Sequence, residues 1–135
     1  MYKIQIMGLF NKLFGGSVEP KQEKALPWLE LNTISQLQTI KEASATKTQI
    51  IFKHSTSCGI SRMVMKQFVA DFQFSENQVD LYYLDLLAYR EVSNTVASTF
   101  NIVHESPQIL VIKNGVVVCH DSHGSINDLD LKQFI

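Results

Sequence analysis

Cys58 lies in the run Ser55-Thr56-Ser57-Cys58-Gly59-Ile60-Ser61-Arg62, where a polar approach gives way to a helical pattern. A side chain at a helix start faces unpaired backbone N–H groups and the positive end of the helix dipole, and both favour a thiolate. The thiolate, not the thiol, is the nucleophile in sulfur chemistry. Lys53, His54 and Arg62 bring positive charge close in sequence. Ser61, one turn on, is spaced to donate a hydrogen bond to the sulfur. The polar approach argues against the ordinary role of a free cysteine as a small buried hydrophobe. His54, His104, His120 and His123 are available as bases, but no acyl-transfer motif surrounds Cys58. The second cysteine, Cys119, falls in the apolar run Val116 to His120, where alternation sets Val117 and Cys119 on one face. It is expected to pack. To resolve a disulfide on Cys58 its Cα would need to approach within roughly 7 Å. Asp80 and Asp85 flank an apolar strand and read as strand-end polar residues without chemistry.

The elements that must hold Cys58 follow from hydrophobic period. Asn32 or Thr33 is expected to cap a helix carrying Ile34, Leu37, Ile40 and Ala43. Thr48 to Lys53 is a β-branched and aromatic run, read as a buried strand. A helix from about Cys58 to Phe74 aligns Val64, Phe68 and Phe72 on one face. Val79 to Leu86 reads as a second strand, and Arg90 to Phe100 as a helix with Val92, Val96 and Phe100 inward. Gln108 to Lys113 and Val116 to His120 are strands joined by Asn114-Gly115, a pair preferred in two-residue type I′ hairpins. A last helix is expected from about Ile126 to Phe134. Helices alternating with the early strands imply parallel pairing, and the hairpin adds an antiparallel edge. The fold class is therefore α/β, with a central mixed sheet of about four strands flanked by helices.

Composition bounds the function. A chain of 135 residues that is 45% hydrophobic and 19% charged can bury a core. Twelve basic against thirteen acidic residues leave no electrostatic footprint for nucleic acid. No apolar run approaches the roughly 18 residues that would span a bilayer. Two cysteines are too few for a disulfide scaffold or a cysteine-only zinc site. Residues 1–25 read as a flexible tail and linker ahead of a domain over 26–135. Leu9, Phe10, Leu13 and Phe14 outline a short apolar stripe, but the segment is too short and too weakly basic to read as a stable membrane anchor. After Met7-Gly8 the position of Lys12 and Leu13 lacks the Ser/Thr of a myristoylation motif.

The string Phe52-Lys53-His54-Ser55-Thr56-Ser57-Cys58-Gly59-Ile60-Ser61-Arg62-Met63 resembles the active-site segment of the YtxJ family, the monothiol bacilliredoxins of the thioredoxin-like superfamily. The likeness runs from Trp28 to the expected final helix, roughly four-fifths of the chain. Ser106-Pro107 ahead of Gln108-Ile109-Leu110-Val111 is similar to the thioredoxin segment in which a cis-proline precedes an edge hairpin. The resemblance implies a thioredoxin-like fold, with Pro107 cis and facing Cys58. It implies that Ser57, Gly59, Ile60, Ser106 and Pro107 contact substrate. It suggests that His123 borders the thiol site, where the residues alone would equally allow a surface-loop histidine.

Two departures from thioredoxin agree with one another. Ser61 stands where thioredoxins carry the second cysteine, the thiol that resolves a mixed disulfide. Phe52 stands where they bury an aspartate. The resemblance therefore implies exchange through Cys58 alone, with bacillithiol as co-substrate and bacillithiolated client proteins as partners. A second small thiol then resolves the adduct. No metal or organic cofactor is required, no nucleic-acid partner is expected, and the expected location is the cytoplasm. CGIS also resembles the CGFS of monothiol glutaredoxins, which bind glutathione and an iron–sulfur cluster. Here His120-Asp121-Ser122-His123-Gly124-Ser125 replaces their Gly-Gly pair, and Lys53 lies nearer the cysteine than their glutathione-binding lysine. A non-catalytic thioredoxin-like adaptor is the third reading.

Overall fold

Strand β2, Thr48–His54, is buried at every position, and the rest of the chain is arranged around it. The structure, a computed structural model, describes residues 25–135. The expected tail and linker, apart from Ala25, lie outside the described residues. In chain order the elements are β1 (Leu29–Glu30), α1 (Ser35–Ala43), β2, α2 (Gly59–Asp71), β3 (Val79–Asp85), α3 (Arg90–Phe100), β4 (Gln108–Lys113) and β5 (Val116–Ser122). Two 3₁₀ turns, His123–Asp128 and Leu131–Phe134, follow. The sheet order is β1-β3-β2-β4-β5. β1 and β2 run parallel to β3, whereas β4 is antiparallel to β2 and to β5.

The pleat of the sheet separates two cores. Ile51, Tyr82, Leu84, Leu110 and Ile112 face Leu37 and Ile40 of α1 and Val92, Val96 and Phe100 of α3. Ile50, Phe52, Leu81, Ile109 and Val111 face Val64 and Phe68 of α2 and Ile126 of the first 3₁₀ turn. Trp28 fills the second layer, its ring 6.1 Å from both Phe52 and Phe68. Three layers thus clamp β2 and fix where its C-terminal end points.

Four expectations need correction. The sheet has five strands, because Leu29–Glu30 adds a parallel edge too short to show alternation. The α1 start is not capped by Asn32 or Thr33. Gln36 Oε1 instead accepts their N–H groups at 2.8 and 3.0 Å, and Ile34 stands outside the helix, 42% exposed. The expected last helix is two 3₁₀ turns divided at extended Leu129, with Asp130 accepting from Lys132 N. Asn127, Asp128 and Asp130 fall in this stretch, and such side chains compete with helical hydrogen bonding. Finally, Val117 and Cys119 do not share a face. Val111 pairs with Cys119 and Ile112 with Val117, so Val118 is the extra residue of a bulge. Val117 accordingly packs with the α1/α3 layer and Cys119 with the α2 layer. The hairpin turn follows expectation, with φ of 52° at Asn114 and 81° at Gly115.

Candidate active site

Register gathers the candidate residues at one end of the sheet. His54 pairs with Asp85 at the end of β3, Lys53 with Gln108 at the start of β4, and Gln108 with Ser122 at the end of β5. Pro107 and Cys58 both lie just beyond this rim. Cys58 occupies the N-cap position of α2 with extended backbone (φ −105°, ψ 124°), and its thiol position is exposed. Its N–H donates to the Ser55 carbonyl at 3.2 Å, and its carbonyl accepts from Arg62 N at 3.0 Å. The Arg62 guanidinium closes the loop by donating to the Thr56 carbonyl at 3.0 Å.

Beneath the cysteine is a buried polar cluster. Ser61, 0% exposed, accepts the Ser55 N–H at 3.1 Å and lies 2.8 Å from His54 Nδ1. Burial pulls His54 below the ordinary histidine range, Asp85 opposes that shift, and Arg62 reinforces it. Lys53 is adjacent in sequence and therefore points to the other face of the sheet. Its Nζ, in a residue also 0% exposed, lies 3.0 Å from His104 Nδ1. Burial brings Lys53 down to about 8. At neutral pH an ammonium has only donors, so His104 Nδ1 accepts and the His104 proton sits on Nε2. Burial, Lys53 and Arg90 lower the His104 pKa against the opposing pull of Glu105.

The segment before Pro107 is held by the same rim. Gln108 Nε2 donates to the Val103 carbonyl at 3.0 Å, and Gln108 Oε1 accepts from Glu105 N at 3.4 Å. Ser122 Oγ donates to the Glu105 carboxylate. The Ser106-Pro107 bond is cis. His123, in the left-handed region at φ 56°, donates its N–H to the Pro107 carbonyl at 3.0 Å. A cavity of about 530 Å³ lies elsewhere, at the far end of α2 between Phe72, Phe74 and Leu131. Among the described residues, no group of three His, Cys, Asp or Glu side chains is placed to hold a metal ion. No helix among them is long and apolar enough to cross a membrane.

A model of the family described as Monothiol bacilliredoxin BrxC matches residues 29–131. The chain belongs to that family. A solved structure described as an oxidoreductase with a thioredoxin fold is 34% identical over 78% of this chain and 91% of its own, at a TM-score of 0.67. The Malassezia sympodialis thioredoxin, 14% identical, covers 86% of this chain and 90% of its own at a TM-score of 0.58. A Schistosoma mansoni thioredoxin pre-protein, 22% identical, covers 80% and 98% at 0.57. These last two show the fold alone. The chain is a thioredoxin-like oxidoreductase, as the fold and family together establish.

Within this bacilliredoxin family member, several candidate residues have other partners than the sequence alone indicates. Lys53, expected to support the thiolate, runs to the α3 side and ends on His104. Ser61, expected to donate to the Cys58 sulfur, is engaged by His54 and Ser55. His54 meets Ser61 in the first turn of α2, and Arg62 bonds the loop that precedes Cys58. Ser57, Gly59 and Ile60 are exposed around the thiol, and the Ser57 hydroxyl pairs with that of Ser55 at 3.2 Å. Ser106 is half-buried and Pro107 buried. His123 meets the proline through its backbone. Asp85 does more than end a strand, accepting from Leu87 and Ala88 N–H groups and facing His54. Asp80 is structural, paired with Lys47 Nζ at 2.8 Å. His104, Glu105 and Gln108 carried no spacing signal. Only the polar Gln108 opening an apolar strand hinted at a buried anchor.

Proposed function

We propose that the protein removes bacillithiol from mixed disulfides on client proteins, with Cys58 as its one nucleophile. The observation that carries this reading is an exposed thiol at the N-cap of α2 with Ser61, not cysteine, beneath it. The Cys58 thiolate attacks the bacillithiol sulfur of the client disulfide. The client–sulfur bond to that sulfur breaks, the client leaves as a thiolate, and Cys58 holds bacillithiol as a new disulfide. A second bacillithiol thiolate then attacks the bound bacillithiol sulfur, releasing Cys58 and the oxidised bacillithiol dimer. No hydroxyl can replace that second thiol, so the site waits for an outside one. Ser57, Gly59, Ile60, Ser106 and Pro107 would line the approach of the disulfide, and His123 would hold the proline loop. The cycle uses no metal or organic cofactor and fits a reducing cytoplasm.

The test incubates the full chain with a bacillithiolated client and follows release of the client thiol by mass spectrometry. Cys58→Ala should abolish release. A parallel glutathionylated client tests the glutaredoxin-like reading. Full activity of Cys58→Ala, or faster turnover of the glutathionylated client, would overturn the proposal.

A further inference from the structure

Lys53 and Gln108 are register partners across β2 and β4, so their side chains share one face of the sheet. Both are polar, yet they are only 0% and 1% exposed. An apolar pair would fill this place with less loss of stability, since a buried charge ordinarily needs an opposite one. Among the described residues the one salt bridge joins Lys47 to Asp80, so the Lys53 ammonium has no carboxylate. What the two side chains share is a target. Gln108 Nε2 donates to the Val103 carbonyl at 3.0 Å, and its Oε1 accepts from Glu105 N at 3.4 Å. Lys53 Nζ takes the residue between them, donating to His104 Nδ1 at 3.0 Å. Three consecutive exposed residues of one loop are thus held from inside the domain, and Ser106-Pro107 comes next in the chain.

We infer that Lys53 and His104 form a protonation-controlled latch on the loop that carries Ser106 and Pro107, and are positioning residues for the exchange at Cys58. The inference rests on the reading that Ser106 and Pro107 meet the substrate disulfide. The latch is closed only while His104 Nδ1 is bare, because an ammonium has no lone pair to offer a second N–H. A proton taken from solvent onto Nδ1 sets donor against donor, and charge against like charge, across 3.0 Å. The imidazolium then donates to Ser93 Oγ of α3, 3.5 Å from Nδ1, and the Lys53 bond is lost.

The groups around His104 set when the latch opens. Burial, Lys53 of β2 and Arg90 of α3 disfavour the imidazolium, and Glu105 on its own loop favours it. Ser93 carries no charge. The balance keeps His104 below the ordinary histidine range, so the latch is closed at neutral pH and opens as pH falls through that lowered value. Gln108 does not titrate and keeps its hold on Val103 and Glu105, and Ser122 still donates to the Glu105 carboxylate. Opening therefore loosens the loop without detaching it.

Amide hydrogen exchange followed by NMR on the full chain reads the loop directly. The reporters are Glu105 N–H, bonded to Gln108, and His123 N–H, bonded to the Pro107 carbonyl. At pH 7 their protection factors should fall about fivefold in Lys53→Met and in His104→Leu, the worth of one hydrogen bond. Lys53→Met should at the same time resist urea better than the parent, a combination that a merely structural lysine does not give. Wild-type protection should drop by the same factor on acidification. His104→Asn, whose Oδ1 stands in for Nδ1 and does not titrate, should keep its protection at every pH. Side-chain nitrogen NMR should find His104 titrating at a higher pH in Lys53→Met. For release of a bacillithiolated client, kcat/KM should fall about fivefold in the two variants that open the latch and recover in His104→Asn. Unchanged protection in both opening variants, acid loosening that persists in His104→Asn, a His104 titration indifferent to Lys53→Met, or loosened amides with undiminished client release would overturn the inference. A wild-type protein that releases no client while its amides behave as expected would instead sink the proposed function and leave the latch on the loop in place.

Discussion

Replacing Lys53 by methionine removes a charge that the fold buries without a carboxylate. Lys53 is 0% exposed, its Nζ bonds only His104 among the described residues, and burial holds it at about 8 against an ordinary 10.5. At roughly 1.4 kcal/mol per pH unit, that difference makes the protonated lysine cost about 3 kcal/mol of stability. The sign follows from proton counting. Below about pH 8 both folded and unfolded chains hold the proton, so the cost is full and constant. Between about 8 and 10.5 the unfolded chain binds more proton than the folded one, and stability rises with pH. Methionine keeps the length of the side chain and forfeits the His104 bond, about 1 kcal/mol. Lys53→Met should therefore be more stable than the parent at pH 7 by roughly 2 kcal/mol. Urea unfolding of both proteins measures this, and the gap should close and then reverse as pH rises through the window. Tyr82 and Tyr83, whose ionisation burial delays, affect both proteins alike and cancel in the difference. A gap that stays constant with pH, or a methionine variant less stable at pH 7, would refute the reasoning.

Phe68→Ala should cost about 3 to 5 kcal/mol in urea unfolding, because its ring is buried against Trp28, Phe52 and Phe72. Gly115→Ala should cost roughly 1 to 2 kcal/mol in the same measurement. Open space surrounds the Gly115 Cα, so the whole cost comes from its φ of 81°. Cys119→Ala should leave client release unchanged, since Cys119 packs on β5 and burial together with Asp121 raises its thiol pKa. Loss of release in that variant would give Cys119 a chemical role.

The sequence carried the parts of the fold that repeat with a period. Val64, Phe68 and Phe72, and likewise Val92, Val96 and Phe100, recur at helical spacing and are buried as that spacing requires. Asn114-Gly115 marked its turn through the rarity of residues that accept positive φ. What escaped was non-periodic or long-range. A two-residue strand has no alternation to detect, and the bulge at Val118 reverses the face of every later β5 residue without a composition change. The site divides the same way. Cys58 was legible from its place between a polar loop and a helix. The direction of Lys53 was not, because charge near in sequence says nothing about which face of a strand it takes. The bonds from Lys53 to His104 and from Ser122 to Glu105 span long stretches of chain, so only the folded sheet brings them together.

The most direct measurement is an intact mass and peptide map of the full chain after mixing with a bacillithiolated client. The account predicts one bacillithiol per chain, located on Cys58, which disappears when free bacillithiol is added. An adduct on Cys119, a disulfide to the client protein itself as the stable product, or no adduct at all would contradict it.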